Sequence, residues 1–370
     1  MIQQELRDAE AIFQSHRTPA TREELMTIVS KDFLNRMDYL KLLAADDDDM
    51  ELLERMARRA HDLTERYFGK VVLLYVPLYL SDFCTNGCTY CGYSTVNEPY
   101  KRKKLETEEI RGEMAALKKN GFDSILLLTG GDRKRSSVQY IADAVRIASE
   151  FFSEIILEIY ALTQKEYRIV LEAGASGLTI YQETYDRELY DKVHLYGEKK
   201  NYDYRLEAPE RAIAAGLKHI NIGALLGLGG AVRDMFMAGV HGDYLQRKYP
   251  EVELCLSYPR IRPAGSASGP ADPVNDVRFV RFILATRLFL PRVGVSISTR
   301  ENASIRDHLV GLGMTRMSAG SRTTVGGYAT DCSRPGQFAI DDERGVNQIV
   351  DMLRNRGYRP EFTNWVRGIA

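Results

Sequence analysis

The chain has 370 residues, enough for one large barrel with extensions or for two ordinary domains. Its 44% hydrophobic and 27% charged residues are typical of a soluble globular protein, and its formal net charge of −1 gives no field that favours nucleic acid or an anionic membrane. No apolar run is as long as a membrane span, and the N-terminal residues lack the layout of a signal peptide. We therefore expect a cytoplasmic protein with reduced cysteines.

The N-terminal part of the chain, residues 1–70, predicts a helical extension. Thr21 and Glu24 form the T-x-x-E pattern of a capping box before an apolar run. Residues 50–68 then place apolar side chains close to helical spacing, which indicates a second, amphipathic helix. We expect these helices to precede the main domain.

From Val71 onward, short runs rich in β-branched residues alternate with amphipathic segments. The predicted strands cover residues 71–79, 124–128, 155–160, 178–181, 220–226, 254–258, 295–298 and 314–318. The predicted helices cover residues 108–119, 138–152, 164–173, 209–215, 234–248, 273–288, 304–312 and 341–356. Asp272 and Pro273 have the pattern of an N-cap followed by proline at the first helical position.

Eight strands alternating with helices predict an α/β fold, a (β/α)8 TIM-type barrel over residues 71–320. Residues 321–370 then form a C-terminal extension, with its helix, packed on the barrel. A doubly wound open sheet is the structural alternative. In a barrel, functional groups lie at the C-terminal ends of the strands and in the loops that follow them, so we look for the site there.

The most specific pattern in the chain follows the first predicted strand. Cys84, Cys88 and Cys91 have the spacing C-x3-C-x2-C, with Tyr90 just before the last cysteine. Three thiolates hold three irons of a [4Fe–4S] cluster and leave the fourth iron open to another ligand. A zinc site needs a fourth ligand, and the closest histidine on the N-terminal side, His61, lies before the strand. Three structural cysteines are the other alternative, although the adjacent glycines suit a ligand loop better.

This motif resembles that of the radical S-adenosylmethionine (SAM) enzymes. Its context is similar to the aromatic amino acid lyases of that superfamily, and most similar to the tyrosine lyases of thiazole biosynthesis. The resemblance covers about residues 25–365 and rests on the stretches at 75–81, 127–132, 181–185, 205–211, 222–228, 258–263, 298–301 and 326–328. It implies that the three cysteines hold a [4Fe–4S] cluster and that SAM binds at the open iron.

The resemblance also implies where SAM is held. The implied cofactor-binding residues are Tyr90, Gly130, Gly131, Asp132, Glu158 and Arg205. Glycines let backbone groups approach a ligand closely, and the loop ending at Asp132, which stands where the family has a glutamate, is implied to hold the SAM amino group. Arg205 is similar to the arginine that pairs with the SAM carboxylate, and a surface arginine is its alternative. Glu158 and Glu183 both end strands, where a structural ion pair is the alternative to a ligand contact.

The resemblance also implies which residues bind the substrate, and these residues lie on or after three other predicted strands. Arg300 follows the seventh predicted strand, and a cation at the mouth of an apolar barrel suits an amino acid carboxylate. The resemblance implies that Arg300 binds the carboxylate of L-tyrosine, that Ser318 is its hydroxyl partner, and that Tyr79 steadies the amino acid end. Core packing is the alternative for Tyr79. The implied partners are a thiazole synthase and a reductant such as flavodoxin or ferredoxin, with no nucleic acid and no membrane.

The residues leave other activities open. A tryptophan lyase of the same family shares the Arg300 contact, and a hydrogenase-maturase-like tyrosine lyase carries further C-terminal cysteines for a second cluster. Here Cys255 and Cys332 are isolated, and one cysteine near the C-terminus cannot hold that cluster. A cluster-bearing scaffold or electron carrier needs the three clustered cysteines but neither Arg205 nor Arg300.

Overall fold

A computed structural model describes residues 1–16, 18–97, 100–265, 267, 269–329 and 334–364. The described chain opens with four helices, α1 (Ile2–Ser15), α2 (Arg22–Val29), α3 (Arg36–Leu43) and α4 (Met50–Phe68). Thr21 caps α2, because its side chain accepts a hydrogen bond from the backbone N–H of Glu24. Tyr39 anchors this extension, donating its hydroxyl to Met235 O at 3.0 Å and stacking on Phe289 with ring centroids 4.4 Å apart. The extension therefore covers the outside of the helical layer described next.

Eight parallel strands close into a barrel, because β1 pairs with β2 on one side and with β8 on the other. The strands are β1 (Val71–Ser81), β2 (Ser124–Thr129), β3 (Glu154–Glu158), β4 (Gly177–Glu183), β5 (His219–Ala224), β6 (Glu253–Ser257), β7 (Gly294–Ile297) and β8 (Arg316–Ser318). The predicted (β/α)8 fold and all eight predicted strands are confirmed. The register between β1 and β2 shifts between Tyr79 and Ser81, where the chain turns into the cysteine loop.

Helices cover the barrel and continue beyond it. They are α5 (Thr107–Lys119), α6 (Val138–Ser149), α7 (Gln164–Glu172), α8 (Arg187–Val193), α9 (Tyr202–Leu206), α10 (Ala208–Ala215), α11 (Ala231–Lys248), α12 (Asp276–Phe289), α13 (Ala303–Leu309) and α14 (Val346–Asn355). The predicted start of α12 at Pro273 is wrong. Asn275 caps the helix by accepting from Arg278 N at 2.8 Å, while Asp272 accepts from Ala231 N at the start of α11.

A ninth strand, β9 (Arg359–Glu361), was not predicted and pairs in parallel with Val71–Leu73 at the start of β1. β1 begins at Val71, but its pairing with β2 starts only at Val76. The residues of β1 before Val76 therefore have a free edge on that side, and β9 pairs with it. The C-terminal extension is thereby tied to the barrel. The domain boundaries at 70/71 and 320/321 stay a prediction.

The N-terminal end of the barrel is closed by a buried charge network. Glu154, His219, Glu253 and Arg316 are the first residues of β3, β5, β6 and β8. Arg316 forms ion pairs with Glu154 and Glu253, and the Asn364 amide donates to both carboxylates at 2.8 Å. The opposite, C-terminal end is therefore the open one. Each helix in the described part of the chain is too short or too polar to span a bilayer.

Candidate active site

A cavity opens at the C-terminal ends of the barrel strands, with about 1150 Å³ of empty space including its mouth. Ligand sites in proteins usually measure about 300–1,000 Å³, so this cavity has the size of a small-molecule site. Nine of the twelve predicted site residues line it: Cys84, Cys88, Tyr90, Cys91, Gly130, Gly131, Glu158, Arg205 and Arg300. The other three, Tyr79, Asp132 and Ser318, lie behind this lining.

The cysteine loop is fixed against the segment that follows α8. Gly87 N donates to Tyr196 O at 3.0 Å, and Leu195 N donates to Gly87 O at 2.9 Å. The backbone and side-chain N–H groups of Asn86 both point at Cys84 Sγ, each at 3.4 Å. Burial raises the pKa of Cys88 to about 12, so this thiol stays protonated until a metal displaces the proton. The loop thus presents thiols from a rigid backbone.

Tyr90 is held by a histidine that the sequence analysis did not single out. Its hydroxyl lies 2.7 Å from His194 Nε2, while His194 Nδ1 lies 2.8 Å from Tyr190 O. Because a carbonyl only accepts, Nδ1 carries the proton and Nε2 accepts from Tyr90. Burial lowers the pKa of His194 to about 3, in agreement with a neutral ring. Tyr90 is therefore held in place in the cavity wall.

The glycine pair after β2 serves close packing against the cysteine loop. A Cβ atom on Gly130 would lie 2.3 Å from Phe83 O, and one on Gly131 would lie 2.3 Å from Asn86 Nδ2. A larger residue at Gly130 would displace the backbone of the loop that carries the thiols, whereas one at Gly131 would displace the Asn86 side chain. Asp132 turns away from the cavity and accepts from the N–H groups of Lys134 and Arg135 at 2.9 and 3.1 Å. Its predicted SAM contact stays a prediction, and its observed contacts order the turn.

Glu183, at the end of β4, organises two cations that line the cavity. Its carboxylate lies 2.6 Å from Lys199 Nζ and 3.6 Å from a terminal nitrogen of Arg205, whose Nε donates to Tyr181 O at 2.7 Å. Burial opposes ionisation, but the two cations outweigh it, so the pKa of Glu183 lies below its usual value. Its φ of 71° is the one positive value found at a non-glycine residue in the described segments. Lys199 was missed, because a glutamate followed by two lysines reads as solvated surface.

Glu158 has the opposite titration behaviour although it lines the same cavity. Burial, reinforced by the negative charge of Glu183, raises the pKa of Glu158 to about 7, against the attraction of Arg300 and other cations. The site therefore holds one carboxylate that stays ionised and one that gains or loses a proton near neutral pH.

Arg300 lies on the far side of the cavity from β4, and an aromatic ring supports it. Its guanidinium carbon is 3.3 Å from the centroid of Phe338, which the sequence analysis missed. Within the described ranges no carboxylate forms an ion pair with Arg300. Its guanidinium N–H groups are therefore available to an anionic ligand. Ser318 Oγ accepts from Thr299 N at 3.2 Å, so it fixes the loop that carries Arg300. Its contact to substrate stays a prediction.

Tyr79 contacts a second missed residue, Gln337. The Tyr79 hydroxyl donates to Gln337 Oε1 at 2.8 Å, and Gln337 Nε2 lies 3.7 Å from Cys91 Sγ. The ring of Tyr79 also packs edge-on against Tyr93, with centroids 5.8 Å apart. Its predicted role at the substrate stays a prediction, since the structure gives its hydroxyl a protein partner. A glutamine in a polar C-terminal stretch carried no signal that could have placed it here.

Comparison with known proteins agrees with this geometry. Residues 78–238 match the family model described as the radical SAM superfamily, and residues 257–359 match the biotin and thiamin synthesis associated domain. Over 333 residues the chain is 37% identical to 2-iminoacetate synthase of Salmonella typhimurium, covering 90% of this chain and 88% of the relative. This chain belongs to the radical SAM family of 2-iminoacetate synthase.

Two further relatives show how widely this family scaffold is used. The radical SAM chain is 30% identical to 3-methylornithine synthase of Methanosarcina acetivorans over 87% of its own length and 89% of the relative. The crystal structure of the FeFe-hydrogenase maturase HydG from Carboxydothermus hydrogenoformans superposes with a TM-score of 0.89 at 32% identity, covering 98% of this chain and 84% of that one. Substrate choice must therefore come from the site itself rather than from the fold.

Radical SAM enzymes use a [4Fe–4S] cluster and SAM, and the residues present here fit both groups. The three cysteines are free thiols that line one cavity on one short loop, at the ligand count of a cluster with an open iron. Lys199 and Arg205 bring positive charge to the same cavity, which suits the carboxylate of SAM.

Proposed function

We propose that this protein is a 2-iminoacetate synthase, which cleaves the Cα–Cβ bond of L-tyrosine to 2-iminoacetate (dehydroglycine) and p-cresol for the thiazole part of thiamine. The observation that carries the proposal is the shared cavity: the three cysteines and Arg300 line it together, and Arg300 has no carboxylate partner among the described residues. The 37% identity to the Salmonella enzyme supports the same activity.

Arg300 is proposed to bind the substrate carboxylate through two parallel hydrogen bonds. Phe338 packs against the face of the guanidinium, which limits its rotation and leaves its edge for the ligand. Ser318 supports this arrangement through its bond to Thr299 N. A carboxylate fixed at one point, with the aromatic ring directed into the barrel, gives the substrate one orientation for hydrogen removal.

The opposite wall is proposed to hold the cofactors. Cys84, Cys88 and Cys91 bind the cluster, and SAM lies against Tyr90, Gly130, Gly131, Glu158 and Arg205, with Lys199 as an added cation. Bound together, and with the cluster reduced, they would supply a 5′-deoxyadenosyl radical able to abstract a hydrogen atom from the substrate. The chain's own contribution is to orient the ligands and exclude water, because 2-iminoacetate hydrolyses readily.

Anaerobic reconstitution of the full chain tests the proposal. With SAM, a reductant and L-tyrosine, we expect p-cresol, glyoxylate from hydrolysed 2-iminoacetate, and 5′-deoxyadenosine. L-Tryptophan in place of L-tyrosine tests the alternative lyase, which would give a tryptophan-derived product and no p-cresol from tyrosine. A preparation with full iron and sulfide content that binds SAM but forms no p-cresol would refute the proposal. A preparation that binds no SAM would favour a scaffold.

The proposed partners follow from the reaction. A thiazole synthase is proposed to receive 2-iminoacetate, since direct transfer limits its hydrolysis, and a flavodoxin or ferredoxin is proposed as the reductant. We also propose a cytoplasmic location, where thiols stay reduced and clusters are assembled. A pull-down of the reconstituted chain with a thiazole synthase, compared with and without L-tyrosine turnover, tests the first partner.

A further inference from the structure

A short segment of the C-terminal extension crosses the mouth of the cavity beside the cysteine loop. We call residues 335–338 the mouth segment. Its backbone is held on two sides: Gly92 N donates to Gln337 O at 3.1 Å, and Gln337 N donates to Thr323 O at 3.0 Å. Thr323 also donates its hydroxyl to Phe338 O at 2.9 Å. The backbone position of Gln337 is therefore fixed by contacts that do not involve its side chain.

The Gln337 amide has one orientation that satisfies both of its neighbours. The Tyr79 side chain is 3% exposed, and burial raises its pKa well above the ordinary value, so its hydroxyl keeps its proton and donates to Oε1. Nε2 then faces Cys91 Sγ at 3.7 Å. Once Cys91 binds iron as a thiolate, a reversed amide would place Oε1 against the sulfur, so that two acceptors would face each other. The thiolate thus favours the orientation in which the amide donates to it, and the Tyr79 hydroxyl holds the amide there by donating to Oε1.

We propose that Gln337 is a positioning residue for the cluster, in which an N–H···S hydrogen bond to Cys91, oriented by Tyr79, raises the reduction potential of the bound [4Fe–4S] cluster. The inference rests on the proposed binding of the cluster by the three cysteines. Hydrogen bonds to cluster sulfurs are among the features that set such potentials. The reduced cluster carries one more negative charge than the oxidised one, so a donor at the sulfur stabilises the reduced form more.

The test is a potentiometric titration of the reconstituted holoenzyme without SAM, followed by the electron paramagnetic resonance signal of the reduced cluster. Gln337→Leu removes the donor, and Gln337→Glu removes it and adds a negative charge. Tyr79→Phe keeps the amide but frees its orientation. Phe338→Leu is the matched control, because Phe338 lies in the same mouth segment and contacts Arg300 rather than a cysteine.

We expect the ratio of reduced to oxidised cluster, measured at the wild-type midpoint, to fall several-fold in Gln337→Leu and further in Gln337→Glu. A tenfold fall corresponds to about 59 mV for a one-electron couple. The ratio of reduced to oxidised cluster should fall by less in Tyr79→Phe, and in Phe338→Leu it should equal the wild-type ratio. Midpoints of Gln337→Leu and Gln337→Glu equal to the wild type, at full iron content, would overturn the inference.

Cluster loading separates this inference from the proposed function. A wild-type chain that takes up no cluster refutes the cluster site, whereas full loading with unchanged midpoints refutes the role of Gln337 alone. If Gln337→Leu loses iron, Gln337→Glu and Tyr79→Phe still decide the question, since each keeps a side chain of nearly the original shape. An equal shift in Phe338→Leu would show a general effect of the mouth segment and would also overturn the assignment to the amide.

Discussion

Replacing Arg300 with glutamine should weaken L-tyrosine binding while leaving the cluster intact. The guanidinium lies 3.3 Å from the ring centroid of Phe338 and has no carboxylate partner in the part of the chain that the structure describes. A hydrogen bond to a charged group contributes about 1.5–3 kcal/mol, and about 1.4 kcal/mol corresponds to a factor of ten. The KM for L-tyrosine should therefore rise about 10- to 150-fold. Arg300→Lys should show a smaller rise, because it keeps the charge but loses the planar fork.

The assay measures p-cresol formation against L-tyrosine concentration and, separately, 5′-deoxyadenosine formation without substrate. In Arg300→Gln, only the dependence of p-cresol formation on L-tyrosine concentration should change. Arg262→Gln is the matched control: Arg262 also lines the cavity, but it pairs with Asp341 at 2.6 Å. An Arg300→Gln enzyme with wild-type iron content and a KM within threefold of the wild type would show that the substrate carboxylate binds elsewhere.

Three other substitutions and one control substitution probe the charges of the protein. Glu183→Gln leaves two cations without their shared anion, so SAM binding measured by calorimetry should weaken at least severalfold. Arg316→Met removes the cation that pairs with the buried Glu154 and the partly buried Glu253, and it should lower the free energy of unfolding in denaturant by about 3–5 kcal/mol, whereas exposed Arg111→Met should not change stability measurably. The pKa of Glu154 is lowered to about 2, so its stabilisation should be present above about pH 4.5 and lost as the pH falls toward 2. The pKa of Glu158 is raised to about 7, so the wild type should lose about 1–3 kcal/mol as the pH rises from 4.5 to 7, and Glu158→Gln should remove that loss.

The fold was predictable because strand periodicity and helix ends are local signals. The run from Val71 and the capping pattern at Thr21 both gave elements that the structure contains. The predicted start of α12 was wrong because Asp272 and Pro273 have the same local pattern as a true N-cap. A tertiary contact of Asp272 determines that Asn275 is the cap instead. Asp272 accepts from Ala231 N, a partner 41 positions away that no local pattern contains.

The site was predictable only where a residue type is chemically distinctive. Cysteine spacing predicts a metal-binding loop without any tertiary information, and an arginine at a strand end is informative once a barrel is assumed. Lys199 and Gln337 lie in polar stretches whose composition is that of ordinary surface. Lys199 reaches the cavity because the chain after α8 folds back along the cysteine loop, and Gln337 because the C-terminal extension crosses the mouth. Such placements depend on long-range packing.

The mouth segment explains why the C-terminal extension belongs to the catalytic unit. Gln337 and Phe338 are adjacent, yet one side chain contacts Cys91 and the other contacts Arg300. A single short piece of backbone therefore places one side chain against each of these two residues of the cavity wall. Because Gly92 N also binds Gln337 O, movement of the cysteine loop moves the support of Arg300 with it. The geometry of the proposed cluster site and that of the proposed substrate site therefore both depend on one shared piece of chain.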